Sequence, residues 1–242
     1  MTTAPAEDQR RLLDLQALDT RLQQLAHSHR THPARATVEE LGKRLADLDD
    51  VVVRARTEAG DIKREVTKAE ADVAQVRSRA ERDRAKVDSG VLGAKDLQGL
   101  TSELESLARR QEALEEIELE AMERLEAAEN HLAEVTRARE EVANSRDAAL
   151  TELEGALADL VQERTAVQAE RAPVAAGIDP GLLALYDKLR EQLGGLAAAR
   201  LRGRTCEGCR LELNAVDVAR IGGSDPDEVA RCEECGRILV RA

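Results

Sequence analysis

Four cysteines occur in the 242-residue chain, and all of them fall within its last 37 residues. They form two short pairs, Cys206-Glu-Gly-Cys209 and Cys232-Glu-Glu-Cys235-Gly236, with twenty-two residues between the pairs. Each pair presents two thiolates to one side of an ion and the second pair closes a tetrahedral shell, so the spacing predicts one Zn2+ held by Cys206, Cys209, Cys232 and Cys235. Four sulfurs leave no coordination position for water or substrate, which makes the expected ion structural and not a Lewis acid. About 45 residues without aromatics cannot stay folded by burial alone, whereas zinc binding contributes roughly 10 kcal/mol or more at neutral pH. The rival chemistry, a redox dithiol, belongs beside a βαβ unit, and no such pattern is present.

The surroundings of the cysteines offer a second chemistry. Arg200, Arg202 and Arg204 alternate and are expected on one strand face, and Arg210 and Arg237 flank the cysteine pairs, so together these five form the candidate contact to phosphates or to a protein partner. From Arg200 onward, however, eight arginines face eight acids, and no aromatic is available to stack a base. A protein client is therefore the first expectation, with RNA or DNA as the alternative.

The elements that position these residues must be helical. The chain carries 36 basic and 48 acidic side chains, a net charge of −12, and Tyr186 is its one aromatic residue. That composition excludes the ring-filled core of a compact enzyme, and the charge repels nucleic acid and anionic lipid on average. No nucleophile-base pair is evident either, so a non-enzymatic protein is expected. The polar start, Met1-Thr-Thr-Ala-Pro-Ala-Glu-Asp-Gln-Arg10, carries no secretory pattern and no run reaches membrane-spanning length, which predicts a cytoplasmic protein without a membrane partner.

Prolines stand only at 5, 33, 173, 180 and 226, leaving residues 34 to 172 open to helix. From Val38 to Val87, fifteen positions step by three and four, and fourteen are apolar, with Asp83 the exception. Seven heptads in one register specify a left-handed coiled coil. Asp88-Ser-Gly-Val-Leu-Gly93 then interrupts the register. A second pattern follows from Leu97 and Leu100 to Leu153 and Leu160, with a stutter between Leu114 and Leu125, where Ile117 is taken as a seam residue.

The expected architecture is mainly α: an antiparallel coiled-coil hairpin over 1–172, kinked near 31–34 and turning near 88–94, a connector helix within 173–199, and a small four-cysteine zinc ribbon over 200–242. Leu92, Lys95 and Leu97 at the hairpin tip are candidate contacts. The pattern leaves the oligomeric state open. Asp179 and Pro180 are expected to start the connector helix and Gly194-Gly195 to end it, with Tyr186 packing it down. Gly208 is expected to relax the first cysteine loop, and His27, His29 and His32 read as a solvated patch.

The layout resembles the bacterial coiled-coil zinc-ribbon family, which includes a Helicobacter flagellar regulator that stabilises an alternative sigma factor and a chlamydial relative linked to type III secretion. The resemblance rests on Lys95-Asp-Leu-Gln-Gly-Leu-Thr-Ser-Glu103, on Leu185-Tyr-Asp-Lys-Leu-Arg190, on Cys206-x-x-Cys209 and on Cys232-x-x-Cys-Gly-Arg-Ile-Leu239. It implies a helical hairpin bearing a four-cysteine ribbon and a non-enzymatic adaptor or chaperone role in transcription or secretion-related regulation, with messenger RNA binding in some relatives. The use of 30 Arg against 6 Lys is similar to that of an actinobacterial member.

Overall fold

The computed structural model describes residues 2–241. Its elements in chain order are α1 (Ala6–Arg30), α2 (Ala34–Asp88), α3 (Ala94–Ala176), α4 (Pro180–Gln192), β1 (Ala198–Arg202), β2 (Thr205–Cys206), α5 (Ala215–Gly223), β3 (Ala230–Arg231) and β4 (Ile238–Arg241). They group into two units, Ala36–Leu150 and the combination of Met1–Arg35 with Thr151–Ala242.

The first unit is an antiparallel hairpin of α2 and α3. Ion pairs across it run Asp49 to Arg139, Glu65 to Arg124, Arg77 to Glu115 and Arg79 to Glu103, so one number falls as the other rises. Every one of the fifteen heptad positions of α2 is buried or half-buried, including Val52, Ala55, Ala59, Ile62, Val66, Ala69 and Val73. Burial of this stripe, and not propensity, holds so long a helix together.

The partner seam corrects the expected stutter. In α3 an unbroken three-four register of buried or half-buried positions runs Leu100, Leu104, Leu107, Gln111, Leu114, Glu118, Ala121, Leu125, Ala128, Leu132, Val135, Arg139, Val142, Arg146 and Ala149. Ile117 lies outside it at 53% exposure, and Leu97 is also exposed. Polar side chains with long aliphatic stems occupy several seam positions, which keeps the register while hiding it from a reading based on apolar residues alone.

Asp83 is buried in the α2 seam, with Lys86 Nζ at 2.7 Å and Arg79 Nε at 3.9 Å. Lys86 beside it holds its carboxyl below the usual carboxylate range, against the upward push of desolvation. Both partners are exposed residues of the same helix, so the charge adds nothing across the seam. Asp83→Leu is therefore expected to raise the thermal midpoint of the hairpin by a few degrees, followed by circular dichroism at 222 nm; a lower midpoint would show that the carboxylate specifies the register.

The turn between the arms spans 89–93, where Gly90 adopts φ 69° and Ser89 Oγ donates to the carbonyl of Lys86. At this tip Val91 and Lys95 are exposed and Leu92 is half-buried. Between α1 and α2 the chain breaks at 31–33 around Pro33, where the Thr31 backbone N–H and hydroxyl both donate to His27 O at 2.9 Å.

In the second unit a four-stranded sheet runs in the order β2-β1-β4-β3, with β1 and β4 parallel and the outer pairs antiparallel. Side-chain alternation along β1 and β4 divides the core in two. Ala198 and Ile238 join Leu12, Leu15, Ile178, Leu182, Tyr186 and Leu189 of the helical layer, whereas Ala199, Leu201 and Leu239 join Cys206, Leu213, Ile221 and Cys232 on the opposite face. The N-terminal segment extends this unit, since Thr3 bridges Glu228 and the Ala4 N–H donates to Asp227 O at 2.8 Å.

Two helix ends differ in how they meet expectation. α4 starts as read, with Leu182 N donating to the Asp179 carboxylate at 2.9 Å and Pro180 in its first turn. α3 instead continues through Pro173 to Ala176. Val174 and Ala175 pack against the helical core there, and this contact outweighs the lost N–H of the proline.

Candidate metal centre

Two tight loops of the same design bring the cysteines together. In the first, Arg210 N donates to Cys206 O at 2.8 Å; in the second, Gly236 N donates to Cys232 O at 2.8 Å. The residue after each pair is left-handed, Arg210 at φ 63° and Gly236 at φ 73°. Glycine adopts that conformation freely, while a side chain there costs about 1 kcal/mol or more. Arg210→Gly is accordingly expected to stabilise the ribbon by about 0.5–1 kcal/mol, read as a higher denaturation midpoint at saturating zinc; a lower midpoint would assign the Arg210 side chain a structural contact.

Gly208 has a different duty from the one expected. A Cβ at this position would lie 2.7 Å from Arg237 Cδ and 3.0 Å from the Ala199 Cβ. The glycine lets the first loop close on the second, and its backbone is not in the left-handed region.

The four Sγ atoms lie within 4.8 Å of one another, and those of Cys209 and Cys232 are 3.9 Å apart. Tetrahedral Zn–S bonds of about 2.3 Å require sulfur separations of about 3.8 Å, so the thiols fit a zinc ion with little adjustment. Backbone donors reinforce the set. Cys206 sulfur faces the N–H groups of Gly208 and Cys209, Cys232 faces those of Glu234 and Cys235, and Cys235 faces the N–H and guanidinium of Arg237.

Burial pushes the Cys206 thiol up and the Cys232 thiol to about 12. For Cys235 the same burial is outweighed by Arg237 and by the neighbouring sulfurs, and its thiol falls to about 7. A metal ion bound by all four would hold them as thiolates, leaving a net charge of −2 that the N–H groups and Arg237 offset. Among the described residues this is the one cluster of three or more His, Cys, Asp or Glu side chains placed to hold a metal.

The five arginines read as contacts are not gathered into one free cationic surface. β1 ends at Arg202 and Gly203 turns the chain at φ 61°, so Arg204 does not share a strand face with Arg200 and Arg202. Arg237 donates to Leu196 O at 2.9 Å, Arg204 to Leu213 O at 3.4 Å, and Arg202 pairs with Glu207 at 2.8 Å. Arg200 and Arg210 are exposed, their side chains without a hydrogen-bonded partner among the described residues.

Several residues that tie the second unit together went unread in the sequence. Gln16 Oε1 accepts from Ala197 N at 2.7 Å and from Ala198 N, while its Nε2 donates to Gly195 O. Arg241 donates to the carbonyls of Ile221, Ser224, Asp225, Pro226 and Glu228, fixing the loop after α5. Asp19, 4% exposed, accepts from Arg171 Nε at 2.7 Å and Tyr186 Oη at 2.8 Å and pairs with Arg190. The signal available for the first and last of these was register: Gln9, Leu12, Gln16 and Asp19 step by three, four and three along one face of α1.

With this geometry in place, comparison assigns the chain. Residues 15–194 match the CT398-like coiled coil hairpin domain, and residues 205–239 match the C4-type zinc ribbon domain. The chain belongs to the CT398-like coiled-coil hairpin family. A protein of Mycobacterium tuberculosis strain H37Rv is 37% identical over 98% of this chain and 97% of its own, and one of Mycobacterium leprae is 28% identical over 92% and 96%.

A solved structure from Mycobacterium smegmatis is 34% identical with a TM-score of 0.86, covering 100% of both chains. CT398 from Chlamydia trachomatis shares the fold at a TM-score of 0.65 and 18% identity, covering 98% of each chain. The mycobacterial relatives accord with the arginine-rich, actinobacterial composition. Among the described residues no helix is long and apolar enough to cross a membrane.

Proposed function

We propose that this CT398-like protein is a non-enzymatic adaptor in which one structural zinc ion fixes the ribbon, and that the hairpin binds a protein client. The observation that carries the reading is the closed thiol set. Four convergent sulfurs, two of them fully enclosed at Cys206 and Cys232, complete a zinc shell and leave no position where a substrate could be polarised. Of the exposed large apolar side chains, Val53, Val91, Leu97, Ile117, Leu119 and Met122 belong to the hairpin, while Leu211 and Val216 belong to the ribbon and Val161 to the base of α3. Nucleic acid is the weaker reading because the candidate arginines are largely engaged within the ribbon.

A photo-crosslinking residue placed at Val91, Leu97 or Leu119 of the full chain in cells tests this. Discrete protein adducts that survive nuclease are expected from the hairpin, and none containing nucleic acid from Arg200 or Arg210. Absence of protein adducts at every hairpin position, or nuclease-sensitive adducts at the ribbon, would overturn it. Deleting the ribbon is the poorer experiment, since Ala197, Ala198 and Ile238 are part of the core beneath α1 and α4.

A further inference from the structure

The hairpin carries a groove whose chemistry is more specific than its heptads. Leu119 and Met122 are 58% and 49% exposed, and with Val66 and Leu125 they form the apolar lining of a trough of about 500 Å³ between α2 and α3. Its remaining wall is mostly acidic: with Thr67 beside them, Glu70, Glu123, Glu126 and Glu129 stand against Lys63 as the lone cation of the lining. Leu119, Met122, Glu126 and Glu129 step by three, four and three, so they share one helix face beside the seam. The surrounding stretch of α3 from Gln111 to Glu129 holds eight acids and only Arg124 to balance them.

Neither the exposed apolar pair nor the glutamates of the trough serve the hairpin itself. The seam is complete without Leu119 and Met122, and whereas Glu115 pairs with Arg77 across the hairpin and Glu118 takes a seam position, Glu70, Glu123, Glu126 and Glu129 make no ion pair among the described residues. Both are accounted for by a third helix lying in the trough. Its apolar stripe would cover Leu119 and Met122, thickening a seam that contains Ala59, Ala69, Ala121 and Ala128, and its flanking cations would meet the glutamates. Two copies of this chain meeting groove to groove would instead oppose four glutamates to four.

We infer that this trough is the docking site for a basic amphipathic helix of a protein partner. The ten-residue span from Leu119 to Glu129 corresponds to about 15 Å, matching about three turns of the incoming helix. The inference deepens the adaptor reading and rests on it.

The test uses the full chain and two fluorescent helical peptides that share one leucine stripe but carry either lysine and arginine or glutamate on its flanks. The basic peptide is expected to bind with an affinity that falls as salt rises. Leu119→Ser with Met122→Ser should weaken it by about tenfold or more, and Glu126→Lys with Glu129→Lys should weaken it and admit the acidic peptide. All four positions line the open trough, so unchanged helicity and thermal midpoint serve as the folding control.

Failure of the basic peptide to bind, or binding indifferent to both double variants, overturns the inference. So does a dimer seen by sedimentation that the same substitutions dissolve, because the occupant is then a second copy. Protein adducts persisting at Val91 or Leu97 in those cases would leave the adaptor reading intact.

Discussion

Cys232→Ser is expected to lose stoichiometric zinc and, with it, the ordered ribbon from β1 to β4. Cys232 is 2% exposed and its sulfur sits with those of Cys206, Cys209 and Cys235 at one point of the core that also contains Leu201, Leu213, Ile221 and Leu239. That cluster is small, and β2 and β3 have two residues each. Without the ion, burial on this scale cannot offset the entropy of ordering more than forty residues, whereas zinc contributes roughly 10 kcal/mol or more. The damage should extend one layer further, because β1 and β4, which pack Ala199, Leu201 and Leu239 with the cysteines on one face, present Ala198 and Ile238 to α1 and α4 on the other. The hairpin seam shares no residue with the ribbon and should keep its helicity. Elemental analysis together with amide exchange resolved along the chain checks this: protection is expected to vanish over 198–241, to weaken in α1 and α4, and to persist in α2. A metal-free variant that keeps its ribbon amides protected would show that the thiols are not its fold determinant.

The cysteine site was legible because its chemistry is local. Two thiols separated by two residues are bound to lie close whatever the remainder of the chain does, and only the meeting of the two loops is tertiary. α2 was legible for a related reason, since its seam positions are apolar almost without exception. α3 was misread where Gln111, Glu118, Arg139 and Arg146 take seam positions and Ile117 does not; apolar identity and burial part company there, and only the opposing helix reveals which residues face it. Gly208 was assigned to the correct loop for the wrong reason, because the close approach of Arg237 joins residues 29 apart in sequence. The same limit hid Asp19, whose partners Arg171 and Tyr186 lie 152 and 167 positions away.

That hidden carboxylate leads to the second large effect. Asp19→Ala should destabilise the unit that contains the ribbon by about 3–5 kcal/mol, since it leaves Arg171, Arg190 and the hydroxyl of the fully buried Tyr186 without their common acceptor. Burial pushes the Asp19 carboxyl up, but hydrogen bonds from Arg171, Arg190 and Tyr186 outweigh it and hold the group below its usual range. Its contribution is therefore complete above the unfolded carboxylate value of about 3.9 and is lost as pH falls through the lower folded value. Burial, and then the adjoining carboxylate, raise Tyr186 above its usual value, so its contribution is complete below about pH 10 and is lost as pH rises beyond that. The two limbs separate by substitution. Tyr186→Phe should cost only about 1 kcal/mol at neutral pH and remove the alkaline limb while keeping the acid one, because both arginines still hold Asp19. Urea denaturation across pH, followed by circular dichroism, measures both. An alkaline limb that survives in Tyr186→Phe, or a neutral-pH loss below about 1 kcal/mol in Asp19→Ala, would mean that this cluster is not what locks α1 to α3 and α4 beneath the ribbon.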